Sequence, residues 1–183
     1  MKQRKICLLG GFSVGKTSLV RRFVHSLYAE QYHTTIGVKV EKKTVAFSAG
    51  DVTLMLRDIH GDDALQRVPR AYLRGSSGYL LVVDGTRRET LASAQTLHAL
   101  AVAELGPVPF VLVLNKSDLA AQWDIEGDAL RELAGSSLLT IRTSALTGHG
   151  VEGAFRCLAE ALLGDDPAPK KSRAPRPSGP GRT

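Results

Sequence analysis

The chain has 183 residues, 43% of them hydrophobic and 23% charged, which is enough for one water-soluble domain with a sizeable core. Its net charge of +6 divides evenly: residues 165–183 carry five cations against Asp165 and Asp166, leaving +3 there and +3 on the rest. A body so nearly balanced argues against a dedicated nucleic-acid surface, and no apolar run approaches the roughly 20 residues of a membrane-spanning helix.

The start, MKQRKICLLGG, is basic and then apolar, as a signal peptide is, but its apolar part stops at Gly10. That is shorter than the 7–15 residues or so of a signal core. KICLLG (5–10) therefore reads as a first strand, and the protein as cytoplasmic. GGFSVGKT (10–17) follows and matches G-x-x-x-x-G-K-[ST]. In such a loop the backbone of Gly10, Ser13, Val14, Gly15, Lys16, Thr17 and Ser18 cradles phosphate oxygens at a helix N-terminus. The Lys16 ammonium reaches the β- and γ-phosphates and the Thr17 hydroxyl takes Mg²⁺. Leu19, Val20, Phe23, Val24 and Leu27 then recur at helical spacing.

VKVEKKTVAF (38–47) and VTLMLRD (52–58) are strands separated by Ser48-Ala49-Gly50-Asp51. Four residues make a hairpin turn and leave no room for a crossover, so one of the two strands runs antiparallel. GYLLVVD (78–84) and PFVLVLN (109–115) are almost wholly apolar, as strands covered on both faces must be. Between them Leu91, Ala94, Leu97, Leu100 and Ala101 form a helical stripe. NKSD (115–118) closes the fifth strand, at the end where an open α/β sheet binds ligands. The Asp118 carboxylate can accept from the N1–H and 2-amino groups of guanine, a pair of donors that adenine lacks. LLTIRTS (138–144) is the sixth strand, and Val151, Ala154, Phe155, Leu158, Ala159 and Leu162 line the last helix. Cys7 and Cys157 read as buried free thiols. Residues 165–183 hold five of the eight prolines and almost nothing apolar, and so read as a disordered tail beyond a domain of residues 1–164. The fold expected is a doubly wound α/β sheet of six mostly parallel strands, with helices on both faces.

Taken together, GGFSVGKT, YHTTIG (32–37), RDIHG (57–61), NKSD and TSAL (143–146) occur in the order of the Ras superfamily of small GTPases, and the chain most resembles the Rab type over about residues 4–163. The resemblance implies the three-layer P-loop GTPase fold and a switch that binds GTP or GDP with Mg²⁺. It implies Thr35 on the metal and sensing the γ-phosphate, Asp58 near the metal through water, and Gly61 near the γ-phosphate. It also places Tyr28 edge-on to the base, Lys116 across base and ribose, Asn115 beside them, and the loop Ser144, Ala145, Leu146 under guanine O6. Effectors and regulators are implied at 32–38 and 58–74, where Arg67 and Arg70 lie.

The departures concern hydrolysis. Asp62 stands where family members usually have glutamine, and a carboxylate only accepts hydrogen bonds, so it cannot both donate to and accept from an attacking water. The expectation is slow intrinsic hydrolysis by Lys16, Thr35 and Gly61, or none, which would make the chain a non-cycling GTP-bound scaffold. His60 is either a water-orienting base or an exposed switch-loop residue. Phe12 either shields the γ-phosphate or is tolerated at an outward-facing tip. Leu146 replaces the lysine of the S-A-K loop, which keeps guanine selectivity and removes a loop support. Arg57 faces away from Asp58 by strand alternation. No cysteine follows Cys157, so no prenyl anchor is expected, and the five tail cations offer at most weak contact with anionic lipid. Missing lipid signal and altered switch II together point to the prokaryotic Rab-like group.

Overall fold

The computed structural model describes residues 2–25, 38–59 and 70–164, without the side chains of 38, 39, 58 and 59. The elements follow in the order β1 (Lys2–Gly10), α1 (Lys16–His25), β2 (Val38–Val45), β3 (Val52–Ile59), α2 (Arg70–Leu73), β4 (Gly78–Asp84), α3 (Glu89–Leu105), β5 (Phe110–Asn115), α4 (Asp128–Ser136), β6 (Leu139–Arg142) and α5 (Val151–Gly164). A short 3₁₀ turn, Ser117–Gln122, follows β5. The six strands form one sheet in the order β2-β3-β1-β4-β5-β6. All neighbours are parallel except β2 and β3, the expected hairpin, whose connection is six residues, 46–51, because β2 ends at Val45.

Period-two alternation divides the core in two. Ile6, Leu8, Leu80, Val82, Val111 and Val113 face α1 and α5, where they meet Leu19, Phe23, Phe155 and Leu158. Cys7, Leu9, Tyr79, Leu81, Val83, Leu112 and Leu114 face α3 and α4, where they meet Leu91, Ala94, Leu97 and Leu133. On the first face the Phe23 and Phe155 rings stack with centroids 4.0 Å apart. Two side chains of β1 fasten the far end of α5: Lys2 Nζ donates to the Leu163 carbonyl at 3.2 Å and Arg4 Nε to that of Leu162 at 3.1 Å. Carbonyls in a last helical turn have no partner within the helix, so these cations hold α5 along the sheet.

Boundaries differ from expectation mostly at the edges. β1 begins at Lys2, because Lys2–Cys7 pair with Val52–Arg57 of β3 and polar residues can serve a strand near its rim. β6 shrinks to Leu139–Arg142 and is largely exposed, as an edge strand with one neighbour allows. Cys7 is buried as expected, and burial pushes its thiol up to about 11, so it stays protonated. Cys157 is only partly covered. Among the described residues no helix is long and apolar enough to cross a membrane. Leu27 and the tail 165–183 lie outside the described residues.

Strand order reverses direction at β1. The chain leaves β1 for β2 and β3 on one side and returns to β4 on the other, which opens a crevice at the carboxyl ends of β1 and β4. The loop at 10–17 begins there.

Candidate nucleotide site

The loop between β1 and α1 is shaped by groups that hold its carbonyls. Lys16, 7% exposed, donates from Nζ to the carbonyls of Gly10 and Gly11, each at 2.9 Å. Its ammonium is thus fixed in the middle of the loop before any anion arrives. Ser13 adopts φ +56°, a left-handed conformation that costs a residue with a Cβ about 1–2 kcal/mol. Gly15, at φ +99°, has no alternative, since a Cβ there would sit 2.3 Å from Asn115 Nδ2. Val14 anchors the loop in the core. α1 starts at Lys16, so Lys16, Thr17 and Ser18 form the first helical turn, whose N–H groups face an incoming anion. Phe12 lies at the tip with its side chain 57% exposed, so the ring points outward.

Asn115 joins this loop to the far side of the crevice. It is 2% exposed, donates from Nδ2 to the Val14 carbonyl at 2.9 Å, and accepts at Oδ1 from Thr143 Oγ1 at 3.0 Å and the Ala145 N–H at 3.3 Å. The resemblance assigned that Ala145 N–H to guanine O6; here it has a long bond to Asn115. Lys116 follows in a left-handed conformation, φ +67°. Asp118 accepts from Ser144 Oγ at 2.5 Å, which fixes its carboxylate beside the 144–146 loop.

The fully buried Asp84 carboxylate at the end of β4 is the second junction. Lys116 Nζ lies 2.6 Å from Oδ2 and Arg87 Nε 2.9 Å, while Oδ1 accepts from the Thr86 N–H at 3.0 Å and Oγ1 at 2.7 Å. Burial alone pushes this carboxyl up; the bonds from Lys116, Arg87 and Thr86 outweigh it and hold the group below the usual carboxylate range. Arg87 continues to the phosphate loop, with Nη2 donating to the Phe12 carbonyl at 2.7 Å. Trp123 closes the outer side: its Nε1 donates to the Lys116 carbonyl at 3.0 Å, and its ring packs so tightly on Gly85 that a Cβ there would lie 2.2 Å away.

The loop carrying Ser144, Ala145 and Leu146 keeps a support despite the leucine. Arg22 of α1 donates from Nη2 to the Leu146 carbonyl at 2.8 Å, Thr147 N–H donates to Ser144 Oγ at 3.1 Å, and Gly148 N–H to the Ser144 carbonyl at 2.8 Å. The support expected to be missing is supplied by another element. Leu146 itself is 47% exposed.

The structure thus brings together Gly10, Ser13, Val14, Gly15, Lys16, Thr17 and Ser18 with Asn115, Lys116, Asp118, Ser144, Ala145 and Leu146. Tyr28, Thr35, His60, Gly61, Asp62 and Arg67 lie outside the described residues. Asp58 is placed only by its backbone, opposite Lys39 in the β2–β3 ladder. Arg70 is exposed, with Nε 3.0 Å from Glu104. Sequence reasoning missed Asp84, Arg87, Thr143, Trp123 and Arg22. Asp84 had a signal, a lone charge ending the apolar strand GYLLVVD at the switch point; the others show none until the loops are folded together.

The family model described as "Ras family" matches residues 5–164. "Ras-related protein Rab-25" of Homo sapiens is 33% identical over 161 residues, covering 87% of this chain and 76% of that protein. "Ras-related protein Rab-4" of Dictyostelium discoideum is 35% identical over 153 residues, covering 82% and 75%. "GTP-binding protein YPT1" of Saccharomyces cerevisiae is 32% identical over 160 residues, covering 86% and 78%. With a P-loop and an NKSD loop tied to each other across a sheet of this order, and with these likenesses over nearly all of the domain, the chain belongs to the Ras family as a Rab-like small GTPase.

Proposed function

We propose that the chain is a cytoplasmic switch that binds GTP or GDP with Mg²⁺, hydrolyses GTP slowly, and signals through residues 32–38 and 58–74 to protein partners. The observation that supports this best is the Asn115 bridge, which ties the phosphate loop at Val14 to the 143–145 loop, whose Ser144 in turn holds the Asp118 carboxylate. The residues present suit the ligand: Gly15 lets the loop close against Asn115 where a Cβ would clash, and the amides of the first turn of α1 face anions.

In this reading Lys16 neutralises the β- and γ-phosphates, and the Asp118 carboxylate accepts from guanine N1–H and the 2-amino group. The Ala145 N–H turns from Asn115 to O6. The Lys116 stem lies across base and ribose, steadied because its ammonium is tied to Asp84, and Tyr28 packs edge-on. Thr17 and Thr35 would hold Mg²⁺, with Asp58 near it through water, and the ion would offset the charge of the phosphates. The γ-phosphate orders both switch segments against Thr35 and Gly61, and its loss releases them. Asp62 can accept from the attacking water but not donate to the γ-phosphate, so hydrolysis is slow. His60 beside it is an exposed switch residue in this proposal.

Two measurements test it. Asp118→Asn exchanges an acceptor for a donor against guanine's own donors. GDP affinity is expected to fall roughly 10²–10³-fold, since each bond to a charged group contributes about 1.5–3 kcal/mol, while a xanthine nucleotide, which offers O2 in place of the amine, gains. Unchanged GDP binding would remove Asp118 from the base site. In single-turnover hydrolysis, Asp62→Gln is expected to speed phosphate release roughly tenfold, the value of one hydrogen bond of about 1.4 kcal/mol. No phosphate release from the natural chain, alone or with cell extract, would instead make it a non-cycling scaffold.

A further inference from the structure

Arg87 does more than neutralise Asp84. One edge of its guanidinium meets Asp84 Oδ2 through Nε at 2.9 Å, and Nη2 reaches on to the Phe12 carbonyl at 2.7 Å. The two loop carbonyls flanking Ser13 are thereby both held, Phe12 by Arg87 and Val14 by Asn115. Ser13 between them is the one described residue of the loop that has a Cβ and a positive φ, +56°. A left-handed residue with a Cβ persists only where its surroundings fix it.

Peptide planarity gives the consequence. In a trans peptide the N–H of one residue points opposite to the C=O of the residue before it. Arg87, by drawing the Phe12 carbonyl to itself, turns the Ser13 N–H to the other side of the chain; Asn115 does the same for the Gly15 N–H through Val14. Backbone N–H groups presented around a left-handed residue contribute to an anion-binding concavity. Arg87 is itself anchored. Its side chain is only 33% exposed, its planar fork satisfies both acceptors at once, and Asp84 is in turn fixed by Lys116 and Thr86.

We propose that Arg87 is a positioning residue for the phosphate loop: by holding the Phe12 carbonyl it aims the Ser13 N–H at the phosphates of a bound guanine nucleotide. The inference rests on the guanine-nucleotide reading above and adds to it a residue outside the phosphate and base motifs. Its distinguishing mark is dependence on phosphate. The Ser13 N–H lies on the phosphate side, whereas the base and ribose are read by Asp118, Lys116 and the 144–146 loop.

The test compares release of fluorescent GDP, and competition by unlabelled GDP and GMP, for the natural chain, Arg87→Ala and Arg87→Lys. The natural chain comes first, because failure to bind GDP there sinks the nucleotide reading itself. Arg87→Ala is expected to release GDP roughly tenfold faster, the loss of one charge-assisted bond, with GMP competition changed less than about twofold. Arg87→Lys is expected to recover little, since one ammonium cannot hold Asp84 and the Phe12 carbonyl in a fork. If Arg87→Ala does not fold, the same comparison is read from Arg87→Lys. GDP release at the natural rate, or equal fold-losses for GDP and GMP, would overturn the proposal, the second by making Arg87 a support of the whole site.

Discussion

Asn115→Ala is expected to weaken GDP binding by roughly 10²–10³-fold while leaving the sheet intact. The residue is buried and serves three partners on two segments: the Val14 carbonyl on one, and Thr143 Oγ1 and the Ala145 N–H on the other. Truncation leaves each of these in a desolvated place, where an orphaned polar group costs about 1–3 kcal/mol. Part of that loss is regained as the loops relax and water enters, leaving roughly 3–4 kcal/mol, which is a factor of about 10²–10³ in affinity. Because the freed groups belong to the phosphate loop and the 143–146 loop, the loss falls on the alignment of two half-sites and not on the hydrophobic core. Thr143→Val provides the graded control, as it removes one bond and keeps the shape; roughly a tenfold loss is expected. Titration calorimetry with GDP measures both. A GDP affinity within threefold of the natural chain for Asn115→Ala would show that the two loops are aligned by something else.

Much of this arrangement could be read before any fold was seen, and the reason is local. Lys16, Thr17 and Gly15 announce themselves because phosphate binding at a helix N-terminus requires specific residues at fixed spacing. The sheet was equally legible, since GYLLVVD and PFVLVL are apolar on both faces and the 48–51 turn is too short for a crossover. What escaped were contacts made between distant segments. Arg87 stands 75 residues from the Phe12 carbonyl it holds, and Asn115 stands 101 from Val14. No periodicity or motif encodes such pairs. Leu146 is the instructive case: the substitution was visible, but its compensation by Arg22, 124 residues away, was not. Trp123 likewise looks like an ordinary exposed-loop aromatic until Gly85 is seen to leave room for its ring.

Asp84→Ala is expected to lower stability by roughly 2–4 kcal/mol, which for a domain of this size moves Tm down by about 5–15 °C. Removing one partner of a buried ion pair typically costs about 3–5 kcal/mol; the figure is discounted because Lys116 and Arg87, left without their carboxylate, keep about one-third of their side chains in water. Asp84→Asn separates charge from shape. It keeps the shape but has one oxygen for donors on both sides, so with the neutral carbonyl turned to Lys116 and Arg87 its NH2 faces the Thr86 donors, and about 1–3 kcal/mol should be lost. The pH dependence follows from the depressed pKa in the fold. In the unfolded chain the carboxyl titrates near 3.9 or so. At acid pH the unfolded state therefore takes up the proton first, and the contribution of Asp84 is complete above about pH 5 and lost as pH falls through the unfolded value toward the lower folded one. The stability gap between the natural chain and Asp84→Asn should accordingly be flat from about pH 5 to 8 and close below about pH 4. Urea unfolding of nucleotide-free protein across that range measures it, with nucleotide left out so that altered GDP affinity does not enter by linkage. A gap that stays open at acid pH would mean that the Asp84 charge is not what binds Lys116 and Arg87 together.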